Sequence, residues 1–428
     1  MKKLFYLIIA AFAFMACNNN EPESKHQQST DPKPDGTSFQ FVVKNLTTDE
    51  ANILVVPPTA QTEFFWAYAT EKYLNEHYPT LSQFVQSYFT ANTYDTWKSV
   101  GRILGGTKKV NISSLKDNTD YRLVVCQIDH DLNIIGNPAS YKFKTVRFIP
   151  EGLLSGVFTV DNNGKKVGFS QGNLQYQAST QTWRFAEHQY DTIGALNENI
   201  SDTYSGWIDL FSWNTADKPT LATKTNADYS TGEFTDWGDN PISNGGNTAK
   251  QWRTLTKAEW LYLFNGRTDA NKLFGLGCIY FNTEKTKWIN GIFIIPDDWT
   301  CPEGAHFTPS TQVTDEELGK LEWSAYQLPA YENEKSGNFK HNVYTLSEWK
   351  TLAESGVVFL PAAGNRNGTN VDMVGAWGIY WSSTYSGSVY TAYPDCGGTI
   401  SFNSGYFYMD ANYPFEYAYS VRLVQDVK

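Results

Sequence analysis

The sequence predicts an α+β chain dominated by strands: an N-terminal β-sandwich, then a larger domain of short strands, few helices and long loops. Three observations carry this. Runs rich in β-branched and aromatic residues, bounded by Gly, Pro, Asn or Asp, recur along the chain. Only a few segments show apolar residues at helical spacing. Aromatics make up 15% of the 428 residues, with 14 Trp, against 18% charged residues. That composition suits a well-filled globular protein and excludes a coiled coil or a disordered tail. The length leaves room for two or three domains. The net charge of −11 gives no general attraction to nucleic acid or anionic lipid, which excludes nucleic acid as a partner class.

The chain opens with Lys2 and Lys3 and an apolar run from Leu4 to Met15, too short to span a membrane as a helix. The run ends in Phe14-Met15-Ala16-Cys17, which resembles a bacterial lipobox. The resemblance implies a signal peptide over 1–17 and acylation of Cys17; the alternative is an ordinary secretory signal with a chance cysteine. Residues 18–37, polar and rich in Asn, Pro, Lys and Ser, read as a flexible tether. Glu21 and Glu23 resemble the acidic stretch that signals surface display in lipoproteins of the Bacteroides type. The implied location is the outer membrane, by a lipid anchor, at the cell surface.

Residues 38–146 read as the β-sandwich. Phe39 to Val43, Ala51 to Val56 (stopped by Pro57-Pro58) and Phe64 to Ala69 are candidate strands, and Tyr141 to Thr145 a closing one. Leu81 to Phe89 has apolar residues at Leu81, Phe84, Val85, Tyr88 and Phe89 and is expected to be an inserted helix. Leu115 to Val125 resembles the tyrosine-corner strand of fibronectin type III domains, which implies that the Tyr121 hydroxyl ties back to upstream backbone. No acid, base and nucleophile come together in this segment, so it reads as a platform or spacer.

A joint over Arg147 to Glu151 leads into a second domain, 152–428. Gly156 to Val160 and Lys166 to Ser170, around Asp161-Asn162-Asn163-Gly164, read as a hairpin. Gln171 to Tyr176 and Thr182 to Phe185 continue as strands. Gly194 to Asn247 has little regularity and carries Trp207, Trp213 and Trp237. Thr256 with Glu259 forms a capping-box signal for a short helix, and Thr345 to Leu352 signals a second helix. Gly291 to Pro296 and Val357 to Pro361 read as buried strands stopped by proline.

The end of the chain, 378–424, is organised differently. Ile379 to Thr384 and Ser420 to Val424 read as strands of a buried sheet. Between them Tyr385, Tyr390, Tyr393, Asp395, Tyr406, Tyr408, Asp410, Asn412, Tyr413, Tyr417 and Tyr419 alternate with Ser, Gly and Pro. Tyrosines among small polar residues have the composition of a paratope, large rigid contact area with adaptable hydrogen bonding. The competing reading is an aromatic strand pair lying on its own domain. Strand alternation would put Tyr406, Tyr408 and Asp410 on a wet face and Phe407 and Met409 on an apolar one.

These segments also carry a likeness. Asn173-Leu174-Gln175-Tyr176, Trp183-Arg184-Phe185, Asp236-Trp237-Gly238, Trp252 to Thr256, Glu259-Trp260, Pro296 to Trp299, Phe359 to Gly364, Tyr380 to Ser383 and Ser420 to Leu423 together resemble surface lipoproteins of Bacteroides-type bacteria with a C-type lectin-like fold. Trp252 to Phe264 is also similar to a segment of formylglycine-generating enzymes, which share that fold. Tyr380 to Thr384, Phe402 to Gly405, Met409 and Val421 to Val424 resemble the variable segment of C-type lectin-like targets of diversity-generating retroelements. That resemblance implies exposed, variable ligand-binding positions at Tyr385, Ser386, Tyr390, Tyr393, Tyr406, Tyr408, Asp410, Asn412, Tyr413, Phe415 and Tyr417.

Other chemistries have little to stand on. Neither the Glu-Pro-Asn nor the Gln-Pro-Asp tripeptide of calcium-dependent lectins is present, nor Trp-Asn-Asp; Asp297-Asp298 and Asp236 with Asp239 read as solvated acids. The cysteines lack zinc-site spacing. Cys278 and Cys301 remain open as a disulfide pair, and Cys126 reads as a small buried residue. A reactive thiol pair is missing from the C-terminal part, where only Cys396 lies, and His188, His306 and His341 are isolated. The expectation is therefore a binding protein and no enzyme, without cofactor or metal, whose partner is an external protein or glycan. The alternatives are a structural or pilus-tip subunit and a glycan-capture lipoprotein of a polysaccharide-uptake system.

Overall fold

The computed structural model describes residues 31–229, 232–282, 286–309, 326–327, 339, 341–387, 396–403 and 406–427. It is mixed α+β and mostly sheet, with few helices. The chain divides into two compact units between Phe148 and Ile149.

In the first unit, β1 (Gln40–Leu46), β2 (Ala51–Val56) and β5 (Lys108–Ile112) form one antiparallel sheet, with β2 central. A second has the order β4 (Ile103–Gly105), β3 (Glu63–Thr70), β6 (Asp120–Ile128), β7 (Ile134–Lys144). Strand alternation sends one face of each into a shared apolar cluster that includes Ile53, Val55, Val110, Phe64, Trp66, Leu123 and Val125. The other face of β3 and β6 (Phe65, Ala67, Val124, Cys126) is covered by α1 (Glu71–His77), α2 (Leu81–Phe89) and α3 (Tyr94–Ser99), through Leu74, Phe84, Val85 and Tyr94. The helix expected over Leu81 to Phe89 is thus present, N-capped by the Thr80 side chain on the Gln83 amide. The Tyr121 hydroxyl accepts the Lys116 backbone N–H at 2.9 Å, the tie-back expected of that strand. The last strand begins earlier than the sequence suggested, at Ile134.

The second unit is built from small sheets whose strands are mostly far apart in sequence. The expected hairpin, β8 (Phe158–Thr159) with β9 (Lys166–Phe169), turns at Gly164 with φ +80°. It is extended by β25 (Leu423–Val427) and β13 (Arg253–Thr254), so the last strand of this unit closes against its first hairpin. The other sheets are β10 (Leu174–Gln177) with β11 (Thr182–Phe185); β12 (Phe211–Ser212), β24 (Tyr417–Tyr419), β19 (Asn365–Asn367) and β20 (Asn370–Asp372); and β17 (Asn342–Thr345), β14 (Phe274–Tyr280), β15 (Trp288–Ile294) and β18 (Val358–Pro361). The expected capping box forms, Thr256 with Glu259 starting α4 (Lys257–Leu261), and the second expected helix, α5 (Leu346–Glu354), also starts on a capping box, Thr345 with Glu348.

The sheet that matters most has the order β16 (Tyr326–Gln327), β23 (Tyr406–Pro414), β22 (Cys396–Asn403), β21 (Trp377–Tyr385). It is covered on both faces. Tyr380, Ile400, Phe402, Phe407 and Met409 enter one apolar cluster, and Ile379 and Trp381 enter another with Trp213, Phe415 and Tyr419. The Ser420 to Val424 block is only partly strand: Ser420 forms an isolated bridge with Tyr380, and regular pairing starts at Leu423. Cys278 and Cys301 are free thiols, one buried and one exposed, so the pairing left open by the sequence is not made. Burial pushes the Cys126 thiol up to about 12.

Candidate functional site

The C-terminal sheet rests on a base of rings held by hydrogen bonds. Trp213 Nε1 donates to Ser382 O at 3.0 Å, Trp381 Nε1 to Phe211 O at 2.6 Å and Trp377 Nε1 to Ser401 Oγ at 3.2 Å. Gly397 has no room for a side chain, since a Cβ there would stand 2.4 Å from Trp213 Cδ1. Trp213 stacks on Phe415, with centroids 4.6 Å apart; Trp381 meets Tyr419 at 4.9 Å and Tyr419 meets Tyr413 at 5.2 Å.

The expected site residues divide into several groups on this base. Tyr385 is exposed, at 47%, with its ring 6.2 Å from Trp213. Tyr408, Tyr413 and Tyr417 are half-buried; Tyr413 stands edge-on to Trp377, centroids 6.3 Å apart, and Tyr417 stacks on Tyr419 at 6.2 Å. Ser386 is half-buried, and its backbone N–H donates to Cys396 O. Asp410 is exposed and Asn412 half-buried. Tyr390, Tyr393 and Asp395 lie outside the described residues, as does Cys17; Tyr406 is described in its backbone only.

Two expectations need correction. Phe415, expected at the surface, is fully buried, and Tyr419 is 2% exposed. Both enter the ring base because the chain turns at Phe415 and Glu416, and Asn226 Oδ1 holds the Phe415 N–H at 2.7 Å. Asp410 does not share a face with Tyr408. Tyr408 pairs with Ser401 and Ala411 with Thr399, so Met409 and Asp410 together oppose Ile400 in a β-bulge. The extra residue turns Asp410 to the side of Met409, where it forms an ion pair with Lys257. Lys257 Nζ also donates to Asn412 Oδ1 at 2.8 Å, and the Lys257 N–H donates to Thr384 Oγ1 at 3.0 Å. The candidate surface thus has an aromatic side (Tyr408, Tyr413, Trp377) and a polar side (Lys257, Asp410, Asn412, Thr384). Sequence reading missed Lys257 and Trp377. The first position of a capping-box helix carries no sign that its side chain reaches a strand over a hundred residues on, and a tryptophan before a buried strand resembles core.

A buried polar network runs beneath. Arg422 is fully buried; one guanidinium nitrogen donates to Asn173 Oδ1 at 3.3 Å and the other to Gln189 Oε1 at 3.1 Å. Burial lowers its pKa to about 10, so it stays charged at neutral pH. Gln189 Oε1 also accepts from the Phe359 N–H, and Gln189 Nε2 donates to Val357 O. Asp209, fully buried, accepts from the Ile193 N–H at 2.9 Å and from Asn197 Nδ2 at 2.8 Å; burial raises its carboxyl to about 6 against those hydrogen bonds. Among the described residues no three His, Cys, Asp or Glu side chains stand together as a metal site, and no helix is long and apolar enough to cross a membrane.

No protein-family model matches the chain. No curated protein is similar to it either.

Proposed function

We propose that this chain is a surface-anchored lipoprotein that binds an external protein or glycan through its C-terminal tyrosine-rich surface, in a C-type lectin-like domain carried on a fibronectin type III-like module. The observation that carries the reading is the layering of the last sheet. Tyr408, Tyr413 and Tyr417 are half-exposed and Tyr385 is exposed, while the rings beneath them (Trp213, Phe415, Trp381, Tyr419) are buried. Rigid aromatic anchors with an adaptable polar neighbourhood are what a recognition surface needs, since little side-chain entropy is lost on binding. The Tyr121 tie-back to Lys116 and the two sheets around one apolar cluster support the fibronectin-like module. The signal over 1–17 with Cys17 supports the lipid anchor and an outer-membrane location.

The test screens the secreted chain against a glycan array and extracellular-matrix proteins, then repeats every hit with Tyr408, Tyr413 and Tyr417 changed to Ala together. Aromatic anchors of this kind cost about 2 kcal/mol or more when truncated, so the hit should be lost. A hit that survives the triple change with unaltered affinity refutes the reading. A near-copy of the 378–424 coding stretch, differing at adenines and lying beside a reverse transcriptase gene, would establish diversification.

A further inference from the structure

Away from the C-terminal sheet, the turn after β11 and the end of β14 enclose a shallow groove of 240 Å³ lined by Tyr190, Asp191, Thr192, Phe281 and Ile289. Two rings in contact line it, Tyr190 and Phe281, with centroids 5.3 Å apart and planes 46° from parallel; Tyr190 is also stacked on His188 at 5.0 Å, so Phe281 offers the open aromatic wall and Tyr190 its hydroxyl. Phe281 is 38% exposed, while Ile289 is buried and forms the floor. Three polar groups share the lining with these rings. Asp191 Oδ2 is occupied by the His188 N–H at 2.8 Å and by His188 Nδ1 at 3.1 Å. Asp191 Oδ1, the Thr192 hydroxyl and the Tyr190 hydroxyl take no hydrogen bond from the described residues.

The segment is held still from both sides. Gln189, next to Tyr190, is 5% exposed and bonded to Val357, Phe359 and Arg422. Ile193, next to Thr192, is tied by its N–H to the buried Asp209 carboxylate. Burying an arginine and an aspartate that do not pair with each other is costly. What that network fixes at the surface is the short run Tyr190 to Thr192, and holding a site rigid lowers the entropy lost on binding.

We infer that this groove is a second binding site, separate from the tyrosine-rich surface, and that it takes a single neutral sugar ring. The volume falls below the roughly 300–1,000 Å³ of sites for drug-sized ligands, which fits one ring. A pyranose offers an apolar C–H face to an aromatic wall and a rim of hydroxyls that both donate and accept. The free groups match that rim: one carboxylate oxygen that only accepts and two hydroxyls that do both. A cationic side chain would use the carboxylate and the rings but leave the hydroxyls' donor capacity unmet. The inference does not rest on the proposed function above.

The test titrates the mature chain with methyl glycosides of glucose, galactose, mannose and N-acetylglucosamine by saturation-transfer NMR, and locates binding by photo-cross-linking with diazirine-bearing versions. At least one glycoside should bind, label the peptides holding Tyr190 or Phe281, and bind about tenfold more weakly (1.4 kcal/mol) in Tyr190→Ala or Phe281→Ala. Asp191→Asn and Thr192→Val preserve shape and should also weaken binding, which keeps the test valid if an alanine variant unfolds. The inference is overturned if no glycoside binds, if labels fall only within 377–427, if those variants bind as the parent does, or if arginine amide displaces the sugar. Labels only within 377–427 would leave the tyrosine-rich surface as the sole sugar site.

Discussion

Trp213 and Phe415 lie face to face, their ring centroids 4.6 Å apart and their planes 10° from parallel, although they are separated by most of the second unit. This contact joins the irregular tryptophan-rich stretch to the C-terminal sheet. It makes Phe415 part of the foundation and not of the contact surface. Phe415→Ala should destabilise the second unit by about 3–5 kcal/mol, as expected of a large buried ring. Tyr413→Ala, at a half-buried ring, should cost clearly less. Chemical denaturation of the two variants checks the order, and equal losses would contradict the division into base and rim.

The Lys257–Asp410 ion pair tests a different point. The lysine side chain is 22% exposed and the aspartate 51%, so solvent screening leaves the pair worth at most about 1 kcal/mol. A double-mutant cycle with Lys257→Gln and Asp410→Asn should give a coupling below that figure, shrinking further in high salt. A large, salt-insensitive coupling would mean that the pair is more shielded than its exposure indicates.

In the first unit, Tyr121→Phe removes only the hydroxyl that receives the Lys116 N–H. The expected loss is about 1 kcal/mol, that of one hydrogen bond with its donor left partly buried. Thermal melting of the isolated segment 38–146 or of the whole chain reads it.

The fourth prediction concerns pH. Burial raises the Asp209 carboxyl from 3.8 to about 6 in the folded chain. A raised folded value means that the folded state binds the proton more tightly than the unfolded one. The group's contribution is therefore complete below about pH 4 and is lost as pH rises through 6, a difference of roughly 3 kcal/mol. Asp209→Asn removes this titration. Whatever the variant costs at pH 4, its stability relative to the parent should improve between pH 4 and 7. A pH-independent difference would contradict the raised value.

Much of the fold is legible in the sequence wherever a local rule dominates. The capping boxes at Thr256 and Thr345, the Gly164 hairpin, the helix over Leu81 to Phe89 and the apolar strands near Ile292 and Phe359 each follow from residues within one turn or one strand. The candidate site is less legible because its geometry depends on contacts distant in sequence. The strand Cys396–Asn403 opens with Gly397 and Gly398, which read as loop, yet Gly397 is glycine because Trp213 and Trp381 press on it. Phe415, flanked by Pro414 and Glu416, looks like a loop residue until Trp213 is seen beneath it. The bulge at Met409 and Asp410 leaves no mark in the sequence, and strict alternation puts Asp410 on the wrong side.

That bulge also makes position 410 supernumerary. Every other described residue of the strand from Phe407 to Pro414 has an opposite number across the ladder or a seat in one of the two ring layers. Asp410 occupies a slot that the pleat does not require, so exchanging its side chain leaves the strand ladder intact and is felt first at Lys257, its ion-pair partner. If selection ever needs to retune what this surface touches, the cheapest place to begin is that spare residue.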